Sequence, residues 1–121
     1  MHGGVDLKKA DAAKRKEQIN IEKCKLEKLF EEIPENKYVL ATRLIEKAAF
    51  MHVILQELQE YINEHGVKEK YKNGANQSGY KDSVEAKMYT NMIKNYTTII
   101  KQLNDMLPAG VAPKDDGFDD F

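Results

Sequence analysis

The stretch Asn73 to Ser83, NGANQSGYKDS, is the part of this 121-residue chain that comes nearest to a chemical motif. Gly74 and Gly79 are separated by four residues, and Lys81 and Ser83 follow. That spacing nearly reproduces the loop G-x-x-x-x-G-K-[ST], in which backbone amides cradle phosphates and the lysine reaches their outer oxygens. The chemistry fails on two counts. Tyr80 separates Gly79 from Lys81 and displaces the ammonium by one residue, and the preceding EHGVKEKYK is charged, with no strand-like apolar run. What remains is a set of glycine-permitted turns and amides near a helix start, able to meet a phosphate of DNA. A plain connector between helices fits the same residues.

Lys68, Lys70, Tyr71, Lys72, Tyr80 and Lys81 interleave basic and aromatic side chains in this segment. Such a mixture suits neutralisation of a phosphate backbone with some base stacking. Glu69 and Asp82 dilute the charge, and a solvated interhelical loop would share the composition. Lys72, Tyr80 and Lys81 are the DNA-contact candidates here.

No other constellation points to catalysis. His2, His52 and His65 lie in different segments without an H-x-x-x-H or Cys/His pairing, so no metal site is expected. The acidic pairs Glu31-Glu32 and Asp115-Asp116 are adjacent in sequence and do not converge across a cleft as hydrolase carboxylates do. Cys24 is the only cysteine; it excludes an intramolecular disulfide, points to a reducing compartment, and sits in a helical pattern that suits an inert thiol. The expectation is a non-enzyme without a cofactor.

Charge is nearly balanced overall, at −1, but unevenly spread. From Lys8 to Lys25 seven basic residues face three acidic ones, for a net +4, whereas Lys114 to Phe121 carries −3. Two ends of opposite charge suggest two different partners. Lys8, Lys9, Lys14, Arg15, Lys16 and Lys23 are candidates to lie along phosphates, or else form a solubilising helix face. The tail DDGFDDF sets Phe118 and Phe121 among Asp115, Asp116, Asp119 and Asp120. It reads as a short docking motif, its rings filling pockets and its acids meeting a basic rim.

These residues require elements to hold them, and the periodicity is helical. A first helix is expected from about Leu7 to Glu32, with Ile19, Leu26, Leu29, Phe30 and Ile33 on one face and Pro34 as its stop. A second spans Lys37 to His65, where Leu40, Leu44, Ala48, Met51, Leu55, Leu58 and Ile62 form a heptad-like seam, flanked by Ala41, Ile45 and Val53 and closed by Gly66. A third runs from about Ser83 to Leu107, striped by Tyr89, Met92, Tyr96, Ile99, Leu103 and Met106 and ended by Pro108 and Gly110. Ser83, with Glu85 behind it, suits the capping position. The segment after it, AGVAPKDDGFDDF, is too small, acidic and Pro/Gly-containing to pack by itself. Strand signals are nearly absent.

The fold expected is therefore all-α: a long antiparallel helical hairpin with a charged N-terminal helix, self-associating into an oligomer, a ring among the options. Its divisions are a basic helix over 1–33, a hairpin and oligomerisation core over 34–108 with a loop at 66–82, and a disordered acidic tail over 109–121. Apolar stripes this wide on thin elements leave area to cover, at about 25 cal/mol per Å². Leu40, Leu44, Met51, Leu55, Leu58 and Ile62, with Met92, Tyr96, Ile99 and Leu103, are the oligomerisation candidates. No run approaches the roughly 18 apolar residues of a membrane span, and MHGGVDLKKADAAKRK lacks a signal peptide's apolar core. A soluble intracellular protein is expected.

The stretches IPENKYVLATRLIEKAAFMHVILQELQEYINEHG and YKNGANQSGYKDSVEAKMYTNMIKNYTTIIKQLNDMLP resemble the small subunit of tailed-phage terminases, in the short form found in phages of Gram-positive bacteria. The resemblance covers roughly Leu26 to Pro108 and rests most on Asn73-Gly74, Gly79-x-Lys81-x-Ser83 and Tyr89 to Pro108. It implies a non-enzymatic DNA-packaging component in the cytoplasm of an infected or prophage-carrying bacterium. Such subunits form rings, bind the genome's packaging site as double-stranded DNA, and deliver it to a separate large ATPase–nuclease subunit. The large-subunit contact would map to Asp115 to Phe121. Many relatives carry Pro where this chain has Val84, and the roughly 30 residues before the hairpin are too few for a separate helix-turn-helix reader. Shape or phosphate contacts from the first helix are expected instead. A non-catalytic oligomeric adaptor that does not bind nucleic acid is the competing expectation.

Overall fold

A computed structural model describes residues 9–72, 74 and 78–114. Three long helices carry most of the backbone: α1 (Lys9–Leu29), α2 (Tyr38–His65) and α3 (Val84–Met106). Between α2 and α3 stands a two-stranded antiparallel ribbon, β1 (Lys68–Lys72) and β2 (Ser78–Asp82). The mostly helical composition agrees with the periodicity. The ribbon corrects the expected loop over 66–82. Both of its faces are largely open to water, so its sequence needs no apolar alternation, and that alternation is the signal by which strands are recognised.

Helix α2 is central, and both α1 and α3 pack along it. Arg15 meets Glu57 and Lys23 meets Glu46, so α1 runs against α2. Leu103 and Leu107 at the end of α3 share a core with Ala41 and Ile45 at the start of α2, so α3 also runs against it. Ala41, Ala48 and Ala49 are buried to 3% exposure or less and let the neighbouring helices approach closely. Leu26, Phe30 and Ile33 complete this core from the end of α1 and the turn after it. The first helix is thus part of the core and not only a charged leader.

That helix ends at Leu29, three residues before the expected limit. Phe30, Glu31 and Ile33 turn back onto the carbonyls of Leu26, Lys28 and Phe30, which aims Phe30 and Ile33 inward. A 3-10 turn, Glu35–Lys37, then leads into α2. Past α3, the Lys114 amide donates to the carbonyl of Leu29 at 2.9 Å and its ammonium pairs with Glu31. This return satisfies a carbonyl that the end of α1 leaves without a helical partner. The first part of the expected disordered tail, up to Lys114, is therefore held on the bundle. Asp115, Asp116, Phe118, Asp119, Asp120 and Phe121 lie outside the described residues.

The expected self-association seam also changes. The buried face of α2 is Ala41, Ile45, Ala48, Ala49, Val53, Leu55 and Leu58, which keeps Ala48, Leu55 and Leu58 of the predicted row and is otherwise centred on its flank of Ala41, Ile45 and Val53. Leu55, Leu58 and Leu103 are enclosed within this chain, so they have no surface to offer another copy. Leu44, Tyr96 and Ile99 are partly buried against the chain's own core, while Met51, Ile62 and Met92 are half-buried. Leu40 remains open at 55% exposure, accompanied by the unpredicted Val39 and Phe50. A heptad count locates the stripe, but the two-sided packing of α2 rotates which part is inside.

Candidate nucleic-acid interface

The ribbon is built from the capped ends of two helices. Gly66, at φ +80°, closes α2 with its amide on the Ile62 carbonyl, a conformation that glycine adopts without a Cβ penalty. The Ser83 hydroxyl accepts the Ala86 amide at 3.0 Å and so caps α3. The Ser83 amide donates to the Val67 carbonyl at 3.0 Å, which extends the ladder down to the helices. Ser83 is buried, and the ribbon therefore rises from a fixed base.

Cross-strand register decides what each face carries. Lys68 pairs with Asp82, Lys70 with Tyr80, and Lys72 with Ser78. Side chains alternate along a strand, so these six share one face, and Glu69, Tyr71, Gly79 and Lys81 share the other. The side chains agree with the register: Lys68 Nζ donates to Asp82 Oδ1 at 2.7 Å, and Lys81 Nζ stands 3.8 Å from Glu69 Oε1. The Lys68 ammonium holds the Asp82 carboxyl below its ordinary range, first through that hydrogen bond and then through its charge. The outer part of the first face is left with Lys70, Lys72 and Tyr80, the last at 72% exposure.

Gly79 has a local reason to be glycine. A Cβ there would come within 3.2 Å of Tyr71 Cε1 and Oη. The Tyr71 ring lies over the bare strand opposite it, which keeps it away from the lysine face.

The chain matches no protein-family model, and no curated protein or solved structure is significantly similar to it.

The predicted basic residues divide into three groups. Lys72 and Tyr80 share a face, joined by Lys70, which the candidate set omitted. Its signal was the spacing of two between Lys70 and Lys72, meaningful only once the segment is a strand. Lys81 is on the opposite face beside Glu69. On α1, Lys14 and Lys16 are exposed, but Arg15 is drawn inward to Glu57 at 2.5 Å and Lys23 lies 3.6 Å from Glu46. The leading helix thus offers fewer open cations than its composition promises. Lys8 lies outside the described residues, as does His2.

Among the described residues, no group of three or more His, Cys, Asp or Glu side chains could hold a metal ion. His52 Nε2 faces the buried Glu22 at 3.6 Å, and the centroids of the His52 and Tyr96 rings are 6.1 Å apart, a cluster that joins all three helices. His65 stacks on Tyr61 at 4.2 Å. Both imidazoles are engaged in packing. Gly79 and Lys81 belong to a strand, and the Ser83 hydroxyl is committed to its cap, an arrangement unlike a phosphate-binding loop. No described helix is long and apolar enough to cross a membrane.

Proposed function

We propose that this chain is the small subunit of a phage DNA-packaging terminase, a non-enzymatic helical protein that binds the packaging site and recruits the large ATPase–nuclease subunit. The observation that carries this reading is the face of Lys70, Lys72 and Tyr80 on a ribbon based on two helix ends. Two cations and a ring without described acidic partners suit a polyanion that also offers flat bases. The resemblance over Leu26 to Pro108 supplies the packaging context. Self-association would use the open Val39, Leu40 and Phe50 surface. Asp115 to Phe121 remain the proposed large-subunit contact, with the host cytoplasm as the place of action.

The test is binding of duplex DNA by the full chain across a salt series, with the mass of the assembly measured in solution. A packaging subunit binds with a salt-dependent affinity, assembles beyond a monomer, and stimulates the large subunit encoded beside it. The pairing of Arg15 and Lys23 within the bundle favours one alternative, a helical adaptor that does not bind nucleic acid. Assembly without any DNA affinity would establish that alternative.

A further inference from the structure

We infer that the β1–β2 ribbon enters the major groove of double-stranded DNA with its Lys70, Lys72 and Tyr80 face inward. This inference rests on the DNA-binding part of the proposed function and adds which element enters, by which face, and into which groove. Width decides the groove. Two strands about 4.8 Å apart with side chains on both faces make a body about 10 Å thick. A major groove about 12 Å wide admits it in an undistorted duplex, whereas a minor groove about 6 Å wide would first have to be opened by bending.

Charge decides the face. The side of Glu69 would bring a carboxylate toward phosphates, with Lys81 already drawn to it. On the other side the single acid, Asp82, is at the base and occupied by Lys68. Farther out, Lys70 and Lys72 have no acidic partner among the described residues, and Tyr80 stands directly across from Lys70. Spacing fits as well. Residues two apart on a strand are about 6.8 Å apart, close to two base-pair rises of about 3.4 Å each. Both ammonium groups can therefore reach phosphates while the Tyr80 ring, level with Lys70 on the other strand, meets base edges or a thymine methyl.

The base makes such entry specific to an element and not to a flexible loop. The Ser83–Val67 hydrogen bond and the Ser83 cap fix the ribbon to α3, so its orientation in the groove is passed to the bundle. The Tyr71 ring lying over Gly79 stiffens the outward face without thickening the inward one.

The experiment measures affinity of the full chain for a short duplex as a function of salt, with exposed-residue variants checked for retained helicity. Lys70→Gln with Lys72→Gln should reduce the slope of log affinity against log salt by about 1.8, at about 0.9 per phosphate contact. Tyr80→Ala should weaken binding about tenfold with the slope kept, and Lys81→Gln should leave both unchanged. Lysine acetylation footprinting of the unaltered chain needs no variant: duplex DNA should protect Lys70 and Lys72 and leave Lys81 reactive. Duplex carrying bulky glucosyl groups in the major groove should bind poorly, while distamycin in the minor groove should not compete. A chain that binds duplex with its slope untouched by the lysine pair, or that distamycin displaces, keeps the function and overturns the ribbon's placement. Preference for duplex RNA, whose deep, narrow major groove excludes a ribbon, overturns it equally. A chain with no affinity for duplex at any salt removes the proposed function and this inference together.

Discussion

The guanidinium of Arg15 grips the carboxylate of Glu57 with two hydrogen bonds, Nε to Oε2 at 2.5 Å and Nη2 to Oε1 at 2.6 Å. Their side chains are only 12% and 22% exposed. The pair ties the front of α1, which has little apolar pattern, to the far half of α2. A bidentate, partly enclosed pair is stronger than an open surface ion pair. Arg15→Ala should therefore destabilise the fold by about 1–3 kcal/mol in urea unfolding, whereas Lys14→Ala and Lys16→Ala should change it by less than about 0.5 kcal/mol. A double-mutant cycle with Glu57→Ala isolates the coupling, and a value near zero would show that the pair holds nothing.

Ser83 connects the ribbon to α3 through both its side chain and its amide. Removing the buried hydroxyl leaves the part-buried Ala86 amide without its capping acceptor. Ser83→Ala should cost about 1 kcal/mol, and Ser83→Thr much less. Amide exchange should report faster opening in the first turn of α3 and at the ribbon's base together. Acceleration in α3 alone would mean that the two are not coupled.

Core and surface leucines on the same stripes should separate in their concentration dependence. Leu58→Ala and Leu103→Ala remove side chains with 0% exposure and should cost about 2–5 kcal/mol at any protein concentration. Leu40→Ala removes an open side chain and should leave monomer stability within about 0.5 kcal/mol. If the Val39, Leu40 and Phe50 surface joins copies, that variant instead lowers the assembled mass at a given dilution. Unchanged mass would place the contact on another face.

The ribbon's base should respond to acid. Lys68 depresses the Asp82 pKa in the folded chain, so the pair stabilises above the unfolded carboxyl's pKa of about 3.9. That contribution is lost as pH falls through the lower folded value. A carbon-detected titration should find Asp82 protonating below ordinary aspartates, and Lys68→Met should return it to the ordinary range. An Asp82 that titrates alike in both chains would mean the contact is not populated in water.

Helix type was readable from local properties throughout, and helix extent for α2 and α3. The limits of α2 and α3 follow from Gly66, the Ser83 cap and the apolar period, and each of these acts within a few residues. The candidate site was legible in composition but not in arrangement. Lys70, Lys72 and Tyr80 were visible as a basic and aromatic mixture, yet nothing local to KEKYK or SGYKD marks a strand. Ladder pairing between the two segments makes them strands, and that pairing sorts Lys72 and Tyr80 to one side and Lys81 to the other.

The amino-acid order by itself thus determined where helices form and which residues are apolar, basic or cap-forming, because those depend on neighbours along the chain. Tertiary structure alone decided that Leu58 and Leu103 are enclosed while Leu40 is open, that Arg15 is held by a residue 42 positions away, and that Lys114 closes back on Leu29. Each depends on how α1 and α3 both pack on α2, and a helical period specifies a stripe but not which neighbour covers it.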